Sequence, residues 1–183
     1  MKERDVIVVG AGPAGATTAA LLAQKGYDVL LLDRYSFPRD KICGDAVPAG
    51  ASEILYKLGA QEQVAQAVER GELYPLEKML LVGPNGRGME AAFNEGLMGA
   101  NSYIAPRIHF DYLIQQLALT HGAEFCVAQA KAPLMENGRV VGVQVKENGR
   151  FQEIRAKVVV GADGVTSAIT RALRPRANQH ANH

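Results

Sequence analysis

The chain opens with alternating apolar and mixed blocks that predict strands separated by a helix. A β-branched run over residues 5–9 stops at Gly10, as a buried parallel strand would. Residues 14–25 are rich in alanine and leucine and are followed by a glycine, which predicts a helix with a glycine C-cap. A second apolar run, residues 28–32, is closed by Asp33. This order predicts one right-handed βαβ unit.

The middle of the chain predicts two helices and a hairpin. Residues 48–58 have a helical pattern stopped by Gly59, and residues 109–120 carry apolar side chains at helical spacing. Between them, apolar runs at 76–82 and 88–93 flank the sequence Gly-Pro-Asn-Gly, which is typical of a β-hairpin. Because a lone hairpin is too small to be stable, we expect it to belong to a larger antiparallel sheet.

The last third of the chain predicts a three-stranded meander and a return strand. The meander strands cover residues 124–135, 140–146 and 151–157, with Asn-Gly turns between them. The apolar run 158–160 then returns as a buried strand, and a short helix follows at 167–173. Strands alternating with helices around such a crossover predict an α/β fold.

Composition narrows the class of protein. Hydrophobic residues make up 48% and charged residues 21%, as in an ordinary globular domain, and the formal charge of +1 gives no reason to expect nucleic acid as a partner. Cys43 and Cys126 form no CxxC pair, so no disulfide framework and no metal site is indicated. We therefore expect a reducing, cytoplasmic setting. No stretch approaches the about 20 apolar residues that span a bilayer.

The first strand and helix are joined by the sequence GAGPAG. In this GxGxxG pattern Gly10 permits the tight turn, Gly12 lets a pyrophosphate approach the backbone, and Gly15 allows close helix–strand packing. The helix N-terminus offers free N–H groups to the phosphates. Asp33 stands where a carboxylate would accept both ribose hydroxyls and repel a 2′-phosphate, which favours FAD or NAD over NADP. The alternatives are a glycine-rich turn without a ligand and a solvated acid at a strand end.

A second motif favours FAD over NAD. The apolar strand at 158–160 opens into GADG, residues 161–164, and a simple NAD domain needs no β-meander before such a strand. Three features follow one another along the chain: GAGPAG, then a helix preceded by Arg107, then GADG followed by a serine and a helix. In this the chain resembles the flavoprotein superfamily of aromatic hydroxylases and geranylgeranyl reductases.

The resemblance narrows to the geranylgeranyl reductase family at residues 36–44, SFPRDKICG. These residues are similar to the family pattern FPR-x-K-x-CGG, and residues 107–113 match its R-x-x-F-D-x-x-L. The resemblance covers residues 5–173. It implies a Rossmann-like FAD-binding domain with a central parallel sheet, a β-meander crossover and part of a second, antiparallel-sheet substrate domain. The implied FAD-binding domain comprises residues 1–75 and 101–183, and residues 76–100 would be a hairpin of the substrate domain.

The resemblance also implies roles for single residues. The glycines of GAGPAG would bind the pyrophosphate, Asp33 the ribose, and Arg107 a phosphate through a bidentate contact. The segment from Lys41 to Asp45 would lie near the flavin ring, and Cys43 is the single candidate for a catalytic residue. A small buried filler is the alternative for that cysteine. The predicted cofactor-binding residues are Gly10, Gly12, Pro13, Ala14, Gly15, Asp33, Arg34, Lys41, Cys43, Gly44, Asp45, Arg107, Asp163 and Gly164.

The activity implied is reduction of carbon–carbon double bonds in a small hydrophobic, isoprenoid or lipid-like substrate by flavin hydride transfer. NAD(P)H or a ferredoxin-like protein would supply electrons, and a lipid substrate would bring the protein to a membrane surface as a peripheral partner. Two alternatives stay open: an FAD-dependent monooxygenase of the hydroxylase branch, and a nucleotide-binding fragment without turnover.

The chain departs from the family pattern in two ways. Asp45 stands where the family has a second glycine, and the family's second glycine–acid segment and aromatic-rich substrate motif are absent. With the polar ending of the chain, these absences lead us to expect that more chain normally follows His183. An intact small protein with a frayed tail is the alternative.

Overall fold

The structure is a computed structural model and describes residues 3–92 and 101–174. The chain divides into two compact units. The first unit comprises Met1–Phe37 and Ile114–His183, and the second unit comprises Pro38–Leu113. The functional domains expected from the sequence, residues 1–75 with 101–183 and residues 76–100, stay a prediction.

Sixteen helices and strands are described. In chain order they are β1 (Arg4–Val9), α1 (Pro13–Gln24), β2 (Val29–Asp33), β3 (Ala46–Val47), α2 (Ala49–Lys57), α3 (Gln61–Glu69), β4 (Tyr74–Pro75), β5 (Lys78–Val82), β6 (Gly88–Ala92), β7 (Tyr103–Ile104), α4 (Arg107–Thr120), β8 (Glu124–Val127), β9 (Gln129–Glu136), β10 (Arg139–Glu147), β11 (Arg150–Gly161) and α5 (Ala168–Leu173).

The first unit is built on a six-stranded sheet in the order β8-β2-β1-β11-β10-β9. The predicted βαβ unit is confirmed: β1 and β2 are parallel, with Val6 opposite Val29, and α1 packs on both. Strands covered on both faces are predominantly apolar, and β2, whose residues are all buried, is apolar up to its last residue, Asp33. Alanines line the buried side of α1, so the helix backbone can approach the sheet closely.

The predicted meander is wrong in its details. The single strand expected at 124–135 is two strands, because β8 runs parallel to β2 whereas β9 runs antiparallel to β10. Ala128 separates them, and its N–H donates to the carbonyl of Asp33. Conversely, the strands expected at 151–157 and 158–160 are one strand, β11, which pairs antiparallel with β10 and then parallel with β1. The pattern of apolar residues indicates which residues are buried, but it does not indicate which strand lies beside which.

The second unit holds shorter elements. The predicted hairpin is confirmed by the antiparallel pair β5 and β6, although its last predicted residue, Phe93, lies outside the described residues. The helix α3 and the small sheet β3-β7-β4 were not predicted, since strands of two residues carry no periodicity. The helix expected at 109–120 begins earlier, at Arg107, because the carbonyl of Pro106 already accepts the N–H groups of His109 and Phe110.

In the part of the chain that the structure describes, no helix is both long enough and apolar enough to cross a membrane.

Candidate functional site

The glycine loop between β1 and α1 packs against the turn that follows β11. Gly10 has a φ of +98°, in the left-handed region, and an added Cβ there would overlap the carbonyl oxygen of Ala162 and lie 2.9 Å from the Cα of Asp163. A Cβ on Gly15 would overlap the carbonyl oxygen of Gly10 and lie 3.2 Å from the Cβ of Ala162. Both glycines are therefore required by the protein's own backbone packing, and the two sequence motifs meet at this point.

The N-terminus of α1 is arranged to receive an anion. Gly12 is the N-cap with extended backbone, Pro13 follows in the first turn, and among the described residues no side chain caps the helix. The first turn also contains no acidic residue. Unbonded N–H groups and the positive end of the helix dipole attract phosphate, so the loop has the donors that a pyrophosphate needs. That it binds the pyrophosphate stays a prediction.

Asp33, at the end of β2, is oriented by two backbone N–H groups. The Oδ2 atom accepts from the N–H of Ala11 at 2.8 Å, and the Oδ1 atom accepts from the N–H of Tyr35 at 3.0 Å. The carboxylate is buried and is tied directly to the glycine loop through Ala11. A carboxylate oxygen can accept more than one hydrogen bond, so accepting a backbone N–H does not by itself prevent a carboxylate from binding a ribose hydroxyl. The next residue, Arg34, is exposed, and its guanidinium lies 4.9 Å from the ring centre of Tyr35.

Asp163 lies beside the glycine loop and holds the start of α5. Its Oδ2 atom accepts the N–H of Ala168 at 2.7 Å, and Ser167 caps the helix by accepting from Thr170. The Oδ1 atom of Asp163 is buried without a hydrogen-bond partner among the described residues. Since an unsatisfied buried carboxylate oxygen costs free energy, this atom fits a site that receives a donor from a bound molecule. Gly164 follows with a φ of +79°.

In the second unit, a buried carboxylate holds two guanidinium groups. Arg107 donates to Asp111 from Nε at 2.5 Å and from Nη2 at 2.8 Å, and the Nη1 atom of Arg39 lies 3.3 Å from the same carboxylate. Asp111 is completely buried. Sequence reasoning named Arg107 as a site residue and missed Arg39 and Asp111. The i,i+4 spacing of arginine and aspartate on one helix was the available signal.

Cys43 is exposed, so the alternative of a buried filler is wrong. The pKa of its thiol lies below the ordinary value because the thiolate accepts a hydrogen bond from the backbone of Asp45 and a further one from the side chain of Arg107. The pKa of the second cysteine, Cys126, is raised by burial and by the nearby Glu147 carboxylate. The thiol of Cys43 is therefore more acidic than that of an ordinary cysteine, and the thiol of Cys126 is less acidic.

Asp45, which stands where the family pattern has a glycine, has a backbone conformation that favours glycine. Its φ is +55°, in the left-handed region, where aspartate is one of the few residues with a side chain that is tolerated. Its carbonyl accepts the N–H of Ala105 at 2.8 Å. A glycine could adopt this turn without the steric cost that a side chain brings. The neighbouring Lys41 and Gly44 are exposed.

The predicted site residues therefore fall into two groups. The structure brings together the residues of the glycine loop, the acid at the end of β2 and the GADG turn within the first unit. It brings together Cys43, Asp45 and Arg107 within the second unit.

A parallel βαβ unit with a glycine loop at the end of β1 and an acid at the end of β2 defines a dinucleotide-binding protein. A family model described as FAD binding domain matches residues 3–182. The chain belongs to this FAD-binding domain family, and the glycine loop, Asp33 and the Asp163 turn fit the cofactor.

The chain is similar to curated reductases. Digeranylgeranylglycerophospholipid reductase 2 of Methanopyrus kandleri is 34% identical over 171 residues, which is 92% of this chain and 39% of that protein. The digeranylgeranylglycerophospholipid reductase of Methanosarcina mazei is 35% identical over 183 residues, which is 96% of this chain and 43% of that protein. The chain therefore spans well under half the length of these relatives.

Solved structures with different reported chemistry share the fold. A geranylgeranyl bacteriochlorophyll reductase-like protein of Thermoplasma acidophilum has a TM-score of 0.76 at 25% identity, covering 94% of this chain and 42% of that one. A myxobacterial chondrochloren halogenase, described as FAD-dependent, has a TM-score of 0.81 at 25% identity, covering 94% of this chain and 40% of that one. The likeness confirms the Rossmann-like α/β fold expected from sequence.

Proposed function

We propose that the chain is the FAD-binding part of an oxidoreductase that reduces carbon–carbon double bonds of an isoprenoid or lipid-like substrate. One observation carries the proposal: the segment that resembles FPR-x-K-x-CGG supplies Arg39 to a buried charged cluster and Cys43 to a hydrogen bond with Arg107. Curated reductases of an isoprenoid lipid align over more than nine tenths of the chain and support the same substrate class.

The first unit contributes the adenine-nucleotide contacts in this proposal. The N–H groups at the start of α1 bind the pyrophosphate, and the carboxylate of Asp33 accepts the ribose hydroxyls. A 2′-phosphate would meet the buried negative charge of Asp33, which excludes NADP from this position. Asp163 accepts a further donor through its Oδ1 atom.

The second unit contributes charge and a proton in this proposal. When bound, FAD supplies hydride chemistry at N5 of the flavin, which is the cofactor's own chemistry. Arg107 is proposed to neutralise a phosphate of the cofactor, since guanidinium groups bind phosphates in a bidentate manner. Cys43, whose thiol is more acidic than an ordinary one, is proposed to hold the proton delivered to the second carbon of the double bond.

Three further parts of the proposal come from the resemblance. They are NAD(P)H as the electron donor, a small hydrophobic substrate, and peripheral contact with a membrane where that substrate resides. A lipid substrate is consistent with the substrate named for the curated relatives.

An FAD-dependent monooxygenase is the second candidate. A 2-methyl-3-hydroxypyridine-5-carboxylic acid oxygenase mutant shares the fold with a TM-score of 0.70 at 26% identity. Consumption of oxygen during turnover would favour this candidate, whereas substrate reduction without oxygen would favour the reductase.

The first experiment is a visible spectrum of the purified chain after FAD is added and the excess removed, with the released cofactor identified. We expect retained FAD with its flavin bands. A Gly12→Val variant should fold and stay colourless, because its side chain would occupy the space of the pyrophosphate. A chain that rejected FAD and retained NAD would overturn the proposal.

A further inference from the structure

A short turn in the second unit holds the sulfur of Cys43 through the two residues that follow it. The backbone N–H of Asp45 donates a hydrogen bond to this sulfur, and the backbone N–H of Gly44 donates another. Two successive backbone N–H groups that share one acceptor form a concave site that favours an anion. The turn after Cys43 is therefore suited to the thiolate form of that side chain.

The carbonyl group of Asp45 fastens the same turn to the segment that leads into α4. It accepts the N–H of Ala105 at 2.8 Å, and the antiparallel pair of β3 and β7 continues directly from this bond. Ala105 lies two positions before Arg107, whose side chain also donates a hydrogen bond to the sulfur of Cys43. Backbone pairing within the second unit thus sets the distance between the turn and the guanidinium.

This arrangement depends on an uncommon backbone conformation at Asp45. Its φ is +55°, and among the described residues the only others with a side chain and a positive φ are Asn101, Asn137 and Asn148. Aspartate and asparagine tolerate the left-handed region, whereas a β-branched residue is strongly disfavoured there. Because the N–H and the carbonyl of Asp45 bind different partners, a change of its φ would break one of these contacts or both.

The carboxylate of Asp45 does not account for the acidity of Cys43. A negative charge near a thiol disfavours the thiolate and raises the pKa, whereas the pKa of Cys43 is lowered. The charged groups to consider are Lys41 and Asp45, two positions away on either side, and Arg107 on α4, which is itself paired with Asp111. The backbone of the turn and the guanidinium of Arg107 therefore favour the thiolate against the charge of the Asp45 side chain.

We propose that Asp45 is a positioning residue: its left-handed backbone turn, and not its carboxylate, holds the sulfur of Cys43 against two N–H groups and beside the guanidinium of Arg107. The inference rests on the proposed function for the use of the thiol, because that proposal assigns to Cys43 the proton delivered to the substrate. It also accounts for the residue type at this position, since aspartate here and glycine in the family pattern are both compatible with a positive φ.

The test compares substitutions that keep the turn with one that breaks it. The rate of alkylation of Cys43 is measured against pH in the full 183-residue chain, with Cys126 as the internal reference. Asp45→Asn and Asp45→Gly keep the turn and remove the charge, so the midpoint of Cys43 should stay where it is or move to lower pH. Asp45→Val places a β-branched side chain at positive φ, so the N–H bonds should be lost and the midpoint should move to higher pH.

The direction of the shift separates the backbone from the carboxylate. If the carboxylate were the group that matters, all three variants would move the midpoint to lower pH, because each of them removes the same negative charge. A midpoint in Asp45→Val that equals the parent value or lies below it would therefore overturn the inference. If Asp45→Val does not fold, Asp45→Ala, with a smaller and unbranched side chain, replaces it with the same expected direction.

A matched control lies in the first unit. Asn137 has a φ of +49° in the turn between β9 and β10, so Asn137→Val imposes the same kind of strain away from the thiol. Thermal unfolding of each variant reports that strain, and the midpoint of Cys43 should stay unchanged in Asn137→Val. A rise as large as that in Asp45→Val would mean that general loosening of the protein sets the midpoint, which would contradict the inference.

The thiol titration needs neither FAD nor substrate, so it fails or succeeds separately from the proposed function. If the parent chain binds no FAD, the proposed function fails and the titration still decides the role of Asp45. If the parent chain binds FAD and Asp45→Val leaves the titration of Cys43 unchanged, the inference fails and the proposed function stands.

Discussion

At the scale of residues, the carboxylate of Asp33 shows how a binding group is prepared before its ligand arrives. Its two oxygens are held by the N–H groups of Ala11 and Tyr35, so no rotamer search is needed when a ribose binds. Cys43 and Cys126 show how surroundings set acidity: the two side chains are chemically identical, yet the pKa of Cys43 is lowered and that of Cys126 is raised.

Replacing Asp33 with alanine should weaken FAD binding by about 1–3 kcal/mol, because hydroxyl groups of the ribose would lose their acceptor. Fluorescence titration of the apoprotein measures the change. Glu124→Gln is a suitable control, since that acid is exposed. An affinity equal to that of the parent chain would mean that the ribose binds elsewhere.

Cys43 should be alkylated before Cys126 near neutral pH. The thiolate is the reactive form, and its population at a given pH is increased where the pKa is lowered and decreased where the pKa is raised. Iodoacetamide labelling followed by peptide mass spectrometry measures both sites in one sample. Labelling of Cys126 first would show that the Asp45 turn and Arg107 do not activate Cys43.

At the scale of elements, the helices and strands predicted from the sequence agree best with the structure where an element keeps the same neighbours along its whole length. β1, α1 and β2 follow directly from their apolar runs and bounding glycine and acid. The sequence pattern predicted two strands where the structure has one, β11. This strand pairs with β10 over its first part and with β1 over its second part, and no break in the sequence marks the change of partner. The contact of the two glycine motifs, at Gly10 and Ala162, depends on that strand and could not be predicted from local sequence.

Substituting Gly15 should destabilise the fold, whereas substituting Gly12 should remove FAD binding. Gly15→Ala should prevent correct folding of the first unit, because the new Cβ would overlap the carbonyl oxygen of Gly10, which is rigid backbone. Gly12→Val should instead leave the fold intact and remove FAD binding. Circular dichroism with thermal unfolding separates the two effects. A Gly15→Ala protein as stable as its parent would show that the loop backbone can move.

At the scale of the whole molecule, residues that the resemblance joins into one cofactor site come from segments more than a hundred positions apart. Local motifs identified Gly12, Asp33 and Arg107, each of which carries its own signal in the sequence. They did not identify Arg39 and Asp111 as partners, because a contact between a loop and a helix leaves no periodic trace. The solved neighbours include a reductase-like protein and a halogenase, so this fold by itself does not select a reaction.

The position of β1 between β2 and β11 has a consequence for folding during synthesis. Arg4 is opposite Ala156, so β1 gains β11 as its second neighbour only after the whole of the intervening chain has been synthesised. Until then one edge of this apolar strand is open to pairing with other chains. The glycine loop likewise gains its contact with Ala162 only after β11 has been synthesised, so a complete loop has to wait for that strand.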